Sequence, residues 1–434
     1  MKNFQSNTNR REFVKIATTT ASIAAMGIPF DSWATNNKDV LKIGLVGCGG
    51  RGTGAANEAL KSSKRVKLVA MGDVFEDKLR GAYENLKSSY SDQVNVPNSR
   101  KFIGFDSYEK VINKCDAVIL ATPPPFRPIH FEEAVKSDKH VFMEKPLFVD
   151  IPGYHKMISI NELAKQKKLS VAVGLQLRFE AGYQEMVQKI NDGIIGSIIS
   201  LDVYYNVGAP IINPRLPGQT EMNYQVRNWR YFSWLWGGQL AGQTIHQIDI
   251  MNWLMNDYPV RVNGIGGRQS FRGPNQGNTY DHHYAEFEYP NQVKLHVQSN
   301  NINNTWRKSG FHIQGAKGYA DDRYRIYDQT GKMIWRHRDR EQTLGSSQIC
   351  QSAFINSIFE NSPINHAEYG IESTLTSIIG RMAIHSGKAI TKEEALTSTK
   401  SILPKMFTWD AEMPDKPGPD GNYAIPIPGI TEVI

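Results

Sequence analysis

The chain has 434 residues, a length that suits two domains better than one. With 40% hydrophobic and 21% charged residues it has the composition of a globular protein with a full core, which argues against a disordered chain. The formal charge of +7 is dispersed without a Lys/Arg block, against a nucleic-acid patch, and three widely spaced cysteines (Cys48, Cys115, Cys350) indicate neither a disulfide framework nor a C-x-x-C metal site.

The first segment reads as an address. In NRREFVKIATTTASIAAMGIPFDSWA the pair Arg10-Arg11 is followed by Phe13 and Lys15 at twin-arginine spacing, R-R-x-F-x-K. A short Ala/Thr/Ser-rich run follows, and Ser32 and Ala34 sit small-x-small, which suits cleavage after Ala34. Residues 1–34 are expected to be a Tat signal peptide that takes the protein through the Tat export machinery to the periplasm. The run is too short and polar for a permanent membrane anchor. The reading beside it is an amphipathic helix of the mature protein.

VLKIGLVG (40–47) is β-branched and apolar, as a parallel strand buried on both faces should be. The loop GCGGRG follows, with Gly47, Gly49 and Gly52 spaced G-x-G-x-x-G and with Gly50 and Arg51 between them, and then the helical stretch TGAANEALKSS. In that context Gly47 makes the tight turn, Gly49 admits a pyrophosphate, Gly52 lets the helix pack on the strand, and the helix N-terminus offers free N–H groups. The next strand, RVKLVAMGDVF (65–75), carries Asp73 at its tip, where a carboxylate accepts the hydroxyls of an adenosine ribose and repels a 2′-phosphate. This favours NAD, while nearby Lys78 and Arg80 leave NADP open. A further unit gives a strand at 117–121, the Pro-rich turn ATPPPFRPIH, a helix at 130–136 and a strand at 140–143. Successive βα units predict an α/β fold whose N-terminal part is a doubly wound parallel sheet.

Directly after that last strand stand Glu144, Lys145 and Pro146. With GLVGCGGRG, ATPPPFRPIH and HVFMEKPL, this E-K-P segment resembles the Gfo/Idh/MocA (glucose–fructose oxidoreductase / inositol dehydrogenase) family, from about Lys42 to Leu147 and more loosely to about residue 390. Independently, ligands of open α/β sheets bind at the carboxyl ends of the strands, where Lys145 lies. A partly buried lysine there can hydrogen-bond a hydroxyl under oxidation and help move its proton. The resemblance implies that Thr122 and Pro123 line the cofactor and that Glu144 lies beside the nicotinamide ribose. His130, in the helix after the turn, reads as a supporting residue.

LSVAVGLQLRF (169–179) reads as the sixth strand and the exit into a second domain, and the resemblance implies that Gln176 and Arg178 lie where this segment faces the cleft. Arg178 is expected to contact cofactor or substrate, or else to form an interdomain salt bridge. Beyond it, SIISLDVYYNV, TYDHHYAEFEYP, NQVKLHVQSN and GFHIQGAKGYA alternate as strands with one wet and one covered face. The resemblance implies a large, open, mostly antiparallel sheet in a C-terminal α+β domain, commonly a subunit contact. The helix at 372–388 is expected to pack back near the cofactor domain, and the Pro-rich tail to lie extended over a surface or a partner subunit. The expected domains are 40–174 for the cofactor, 175–400 for substrate and oligomerisation, and 401–434 for the tail.

In WLWGGQLAGQTIHQIDIMNWLM (234–255), His246, Asp249 and Trp253 share one helix face after Gly237 and Gly238. The family's pattern here is G-G-G-x-L-x-D-x-G-x-H-x-x-D. The resemblance makes His246 the catalytic histidine, a general base for a sugar hydroxyl, and Asp249 the acid one turn later. The motif's first Asp is Gly242 in this chain, and the adjacent Gln243 is expected to point elsewhere. RNWRYFSWLW (227–236) places Trp229 and Arg230 where an aromatic face can stack on a sugar ring and a guanidinium can bind hydroxyls or acidic groups. The alternative for this stretch is core packing with a surface loop. Asp281, His282 and His283 are strand neighbours facing opposite ways, so no metal site is expected.

Together these readings describe an exported NAD(P)-dependent oxidoreductase, expected to be a homo-oligomer. It would pass hydride between a sugar or polyol carbon and a tightly bound nicotinamide, with Lys145 and His246 handling the proton. Two alternatives stand beside it. One is an NAD-dependent glycoside-cleaving enzyme working by oxidation, elimination and reduction. The other is a non-catalytic sugar- or nucleotide-binding protein.

Overall fold

The computed structural model describes residues 40–338 and 344–434, and the expected leader lies outside the described residues. Strands β1 (Leu41–Val46), β2 (Val66–Asp73), β3 (Lys101–Ile103), β4 (Ala117–Leu120), β5 (His140–Met143) and β6 (Val171–Val173) form a sheet in the order β3-β2-β1-β4-β5-β6, parallel throughout. Both faces are covered: Val118 and Leu120 of β4 join one core cluster, and Ala117 and Ile119 join another. That is why these strands read as unbroken apolar runs rather than as alternating ones. The chain order reverses between β1 and β4, which opens a crevice at their carboxyl ends.

The expected sixth strand is shorter than the apolar run that suggested it. β6 stops at Val173, and Gln176–Phe179 forms a single 3-10 turn. Gly174 sits against the Glu144 carboxylate, where a Cβ would come within 2.7 Å. The chain therefore turns to leave room for that side chain rather than continuing the ladder.

The second sheet is nine-stranded and mixed. It comprises β7 (Ile198–Val207), β8 (Arg261–Gly267), β9 (His282–Glu288), β10 (Lys294–Asn301), β11 (Lys308–Gly315), β12 (Gly318–Asp321), β13 (Arg325–Asp328), β14 (Met333–Arg336) and β15 (Ile390–Thr391), in the order β14-β13-β12-β11-β7-β10-β9-β8-β15. Only the β7–β10 pairing is parallel. In β9 the predicted alternation holds: His283, Ala285 and Phe287 are buried, and His282 and Tyr284 face out. The helix Ala367–Ser386 packs on β8 and β9, and also on the helices Ile245–Met255 and Ile151–Gln166. It thus joins the two sheets, as its sequence predicts.

The tail is part of the core. Residues 401–434 are irregular, yet Phe407, Trp409, Met413 and Tyr423 join a cluster with Phe75, Phe105, Phe126 and Trp234. Phe105 and Trp409 have ring centroids 4.7 Å apart, and Phe126 and Phe407 4.8 Å. The surface this tail covers is its own chain's, behind the mouth of the crevice.

Candidate active site

A cleft of about 600 Å³ lies at the carboxyl ends of the parallel strands, between that sheet and the segments around 205, 229 and 242–246. That volume is of the size that holds small-molecule cofactors and substrates. One end is built by the glycine loop. Gly47 has φ +91°, and a Cβ there would lie 2.7 Å from the backbone of Ala121 and Thr122. At Gly52 a Cβ would be 1.8 Å from the Gly47 carbonyl, so the helix Gly50–Ser62 can approach only without one. Gly49 and Gly50 face open space, and the helix start has no side-chain cap and no acid in its first turn. The backbone N–H groups and the helix dipole are thus free for a diphosphate.

Asp73 lies at the tip of β2, buried, accepting from Cys48 N at 2.6 Å and Phe75 N at 2.8 Å. Burial pushes its carboxyl above the usual range despite these donors. It lines the cleft together with Lys78, whereas Arg80 does not. Phe75, Phe105 and Phe126 add an apolar wall. Thr122 and Pro123 line the opposite edge. Arg127, fully enclosed, donates to the carbonyls of Leu120 at 2.5 Å and Thr122 at 2.7 Å and so holds the end of β4 in place. His130 meets Thr122 Oγ1 at 3.3 Å and stacks on Tyr108, and burial depresses its pKa to about 3. It is a neutral supporting ring, as its sequence position suggests.

At the inner end Arg51 Nε pairs with Glu144 Oε1 at 2.8 Å and Arg51 NH2 with Glu58 Oε2 at 2.6 Å. Lys145 Nζ donates to the Gly242 carbonyl at 2.7 Å. Burial lowers its pKa to about 8, aided by Arg230, Arg51 and Arg127 against the opposing pull of Glu144. His246 lines the same space. Burial, then Lys145 and Arg51, push its pKa well below the ordinary histidine value, and its Nδ1 is enclosed without a hydrogen-bond partner. A neutral imidazole and an amine whose pKa is lowered to about 8 therefore face one cavity.

The segment that carries His246 is where the sequence pattern departs from the geometry. Leu240–Thr244 is a π-helical turn leading into the helix Ile245–Met255. The wider turn changes the phase of the helix. As a result Gln243, expected to point elsewhere, lines the cleft beside Gly242. Trp236 explains the missing Asp: it occupies the first glycine of the quoted motif, and a Cβ on residue 242 would fall 1.8 Å from its indole Nε1. The space of an acidic side chain is filled by a buried indole.

Arg178 and Asp249 do not face the substrate space. They form a bidentate pair, Nε–Oδ2 at 2.7 Å and NH2–Oδ1 at 2.8 Å, and Asp249 also accepts from Ser373 at 2.7 Å. Arg178 stacks over Tyr369. Neither residue lines the cleft. Neither expectation for Arg178 is met as stated: its partner Asp249 lies in the same expected domain, 175–400, so the pair is an internal brace of that domain, and Asp249 is consumed by it. Trp229 and Arg230 do line the cleft, whereas Tyr231 and Trp234 are core, so the aromatic stretch divides between both of its readings. Asp281 is spent on the backbone N–H groups of Gln269 and Phe271 and on His282.

Residues 41–175 match the family described as "Oxidoreductase family, NAD-binding Rossmann fold" (GFO_IDH_MocA), and residues 183–321 match the GFO/IDH/MocA C-terminal domain. The chain belongs to the Gfo/Idh/MocA oxidoreductase family. Among curated relatives, 2,7-anhydro-N-acetylneuraminate hydratase of Escherichia coli is 26% identical over 52% of this chain and 56% of its own length. Inositol 2-dehydrogenase/D-chiro-inositol 3-dehydrogenase of Lacticaseibacillus casei is 24% identical over 55% of this chain and 60% of its own. The chain thus spans little more than half of these relatives. Among solved structures, scyllo-inositol dehydrogenase from Lactobacillus casei with bound NAD(H) and scyllo-inositol has a TM-score of 0.61 at 20% identity, covering 82% of this chain and 99% of that one. Aldose-aldose oxidoreductase from Caulobacter crescentus has a TM-score of 0.63 at 17% identity, covering 81% and 99%. These likenesses establish the shared fold.

Three participants escape sequence reading. Arg127 is hidden inside a Pro-rich turn, the Phe75–Phe105–Phe126 wall comes from three separate loops, and Trp236 reads as one more core aromatic. Only the quoted motif, with its small residue at 236, carried a signal for the last.

Proposed function

We propose that this protein oxidises a secondary hydroxyl of a sugar or polyol, using NAD held across the glycine loop. The observation that carries the reading is Lys145. It sits at the end of β5 in the same cleft as the pyrophosphate cradle, its amine brought toward neutrality by burial and its position fixed by the Gly242 carbonyl. The residues fit a dinucleotide: open space at Gly49 and Gly50, an uncapped helix start, and Asp73 at the ribose end. When bound, a nicotinamide supplies the hydride acceptor. The chain does the rest. Lys145 in its free-amine form takes the hydroxyl proton as the carbon loses hydride and the C=O forms, and reverses this in reduction. His246, with an unpaired Nδ1, orients the hydroxyl or relays the proton. Trp229 offers a stacking face, and the enclosing walls exclude water and align the reactants.

Asp73 supports NAD over NADP, with Lys78 as the opposing charge. The aromatic wall braced by the tail supports tight retention of the cofactor. The Arg10-Arg11 leader supports Tat export to the periplasm, and the outward face of the nine-stranded sheet, with Tyr284 and Ile265 exposed, supports a homo-oligomer. The glycoside-cleaving reading starts with the same oxidation and uses the same residues. The decisive experiment is native mass spectrometry of the purified protein, followed by a substrate screen read by nicotinamide absorbance. Absence of nicotinamide nucleotide both from the protein and after incubation with NAD would refute the proposal.

A further inference from the structure

The substrate end of the cleft is cationic and lacks a matching acid. Among the residues lining the cleft the carboxylates are Asp73, held by the N–H groups of Cys48 and Phe75, and Glu144, paired with Arg51. Of the other arginines there, Arg51 has Glu58 and Glu144, Arg227 has Asp77, and Arg127 has two carbonyls, while Lys78, five residues after Asp73, belongs to the ribose end. Arg230 differs. It is exposed into the cleft beside Trp229, 5.2 Å from that ring, and among the described residues it makes no ion pair or hydrogen bond. It lies close enough to Lys145 for its charge to add to the lowering that burial causes, and close enough to Tyr205 to oppose the rise that burial causes there. Residue 242, where the motif carries an acid, is a glycine whose side-chain space is filled by the Trp236 indole.

A guanidinium left unpaired in a partly enclosed cleft is a carboxylate or phosphate receptor by its chemistry. A phosphate would draw on backbone N–H groups at a helix start, and the uncapped start here belongs to the glycine loop at the opposite end. With Lys145 acting as the free amine and Lys78 at the ribose end, Arg230 is the permanent charge left beside the reacting groups. One charge calls for a monoanion.

Resting on the oxidoreductase reading above, we propose that the substrate is a sugar acid. Its single carboxylate is held by the Arg230 guanidinium beside Trp229, and its reacting hydroxyl lies at Lys145 and His246. Trp236 contributes by exclusion: it keeps an acidic side chain out of position 242 and so leaves the site's charge uncancelled.

The test uses NAD-loaded protein and three kinds of probe: hexuronates (D-glucuronate, D-galacturonate), their parent hexoses, and glucose 6-phosphate. Binding is measured by calorimetry and turnover by nicotinamide absorbance. The expected result is a hexuronate bound about 30-fold more tightly than its hexose, the worth of one charge-assisted hydrogen bond. Arg230→Gln should abolish that preference. The double variant Trp236→Gly/Gly242→Asp, which restores the motif's own arrangement and puts a carboxylate beside Lys145, should also abolish it through a different residue. Circular dichroism confirms that each variant is folded. Equal binding of acid and hexose, preference for the phosphate, binding of none of the probes, or a preference that survives Arg230→Gln would each overturn the proposal. Failure to bind NAD, read by quenching of tryptophan fluorescence, would instead sink the oxidoreductase reading itself.

Discussion

Replacing Gly242 by alanine should destabilise the protein, although the usual expectation has the opposite sign. Gly242 lies in a helical turn with no positive φ, and there Gly→Ala ordinarily stabilises by about 0.4–1 kcal/mol through the unfolded chain. Here the new Cβ would fall 1.8 Å from Trp236 Nε1 and 2.4 Å from Cδ1 and Cε2, against an indole that is 0% exposed. Close packing leaves no direction for relief, and overfilling of this kind costs about 1–3 kcal/mol. The net expectation is a loss of roughly 1–2 kcal/mol in urea unfolding followed by circular dichroism. Trp236→Ala alone should cost about 3–5 kcal/mol by opening a cavity. In that background Gly242→Ala meets no indole and should turn neutral or stabilising, a coupling of about 2 kcal/mol in a double-mutant cycle. A Gly242→Ala variant as stable as the parent, or one equally destabilising with and without Trp236, would refute the claim that these two residues are a matched pair.

Three further outcomes follow from the site. Oxidation needs the free amine of Lys145, so the rate should climb as pH rises through about 8 and level off above it. Lys145→Arg, which stays charged, should cut the rate by about 10²–10⁴-fold at every pH tested, and a pH profile unmoved by that change would reassign the base. Asp73→Asn should raise the NAD dissociation constant by about tenfold and narrow the gap to NADP in parallel titrations, because a charged acceptor at the ribose end is removed. Arg178→Ala leaves Asp249 buried and unpaired, so unfolding stability should fall by about 3–5 kcal/mol while the substrate KM measured on the folded fraction stays close to the parent's.

What the sequence reveals about this chain is what local rules govern. The glycine jobs at 47, 49 and 52, the carboxylate closing β2 and the lysine after β5 are each set by a few neighbouring residues and by the polarity of one strand. The alternation in β9 is equally local. Arg178 with Asp249 is different: both belong to plausible cleft positions, and only the packing of the turn Gln176–Phe179 against the helix Ile245–Met255 turns them toward each other. Gln243 was hidden by the π turn, because helix-face arithmetic assumes a constant phase. Trp236 was hidden because one buried tryptophan looks like any other until its distance to residue 242 is known. The tail read as extended, which it is, but extension says nothing about which aromatic rings it meets.

That tail imposes an order of events. Phe407 and Trp409 press against Phe105 and Phe126, the back of the wall that faces the cofactor space. The glycine loop and Asp73 leave the ribosome long before these residues do, so a nascent chain can hold a folded βα core whose cofactor pocket still lacks its backing. If the cofactor is held as tightly as proposed, firm loading waits until synthesis has passed residue 409, when the rings that back the wall are present.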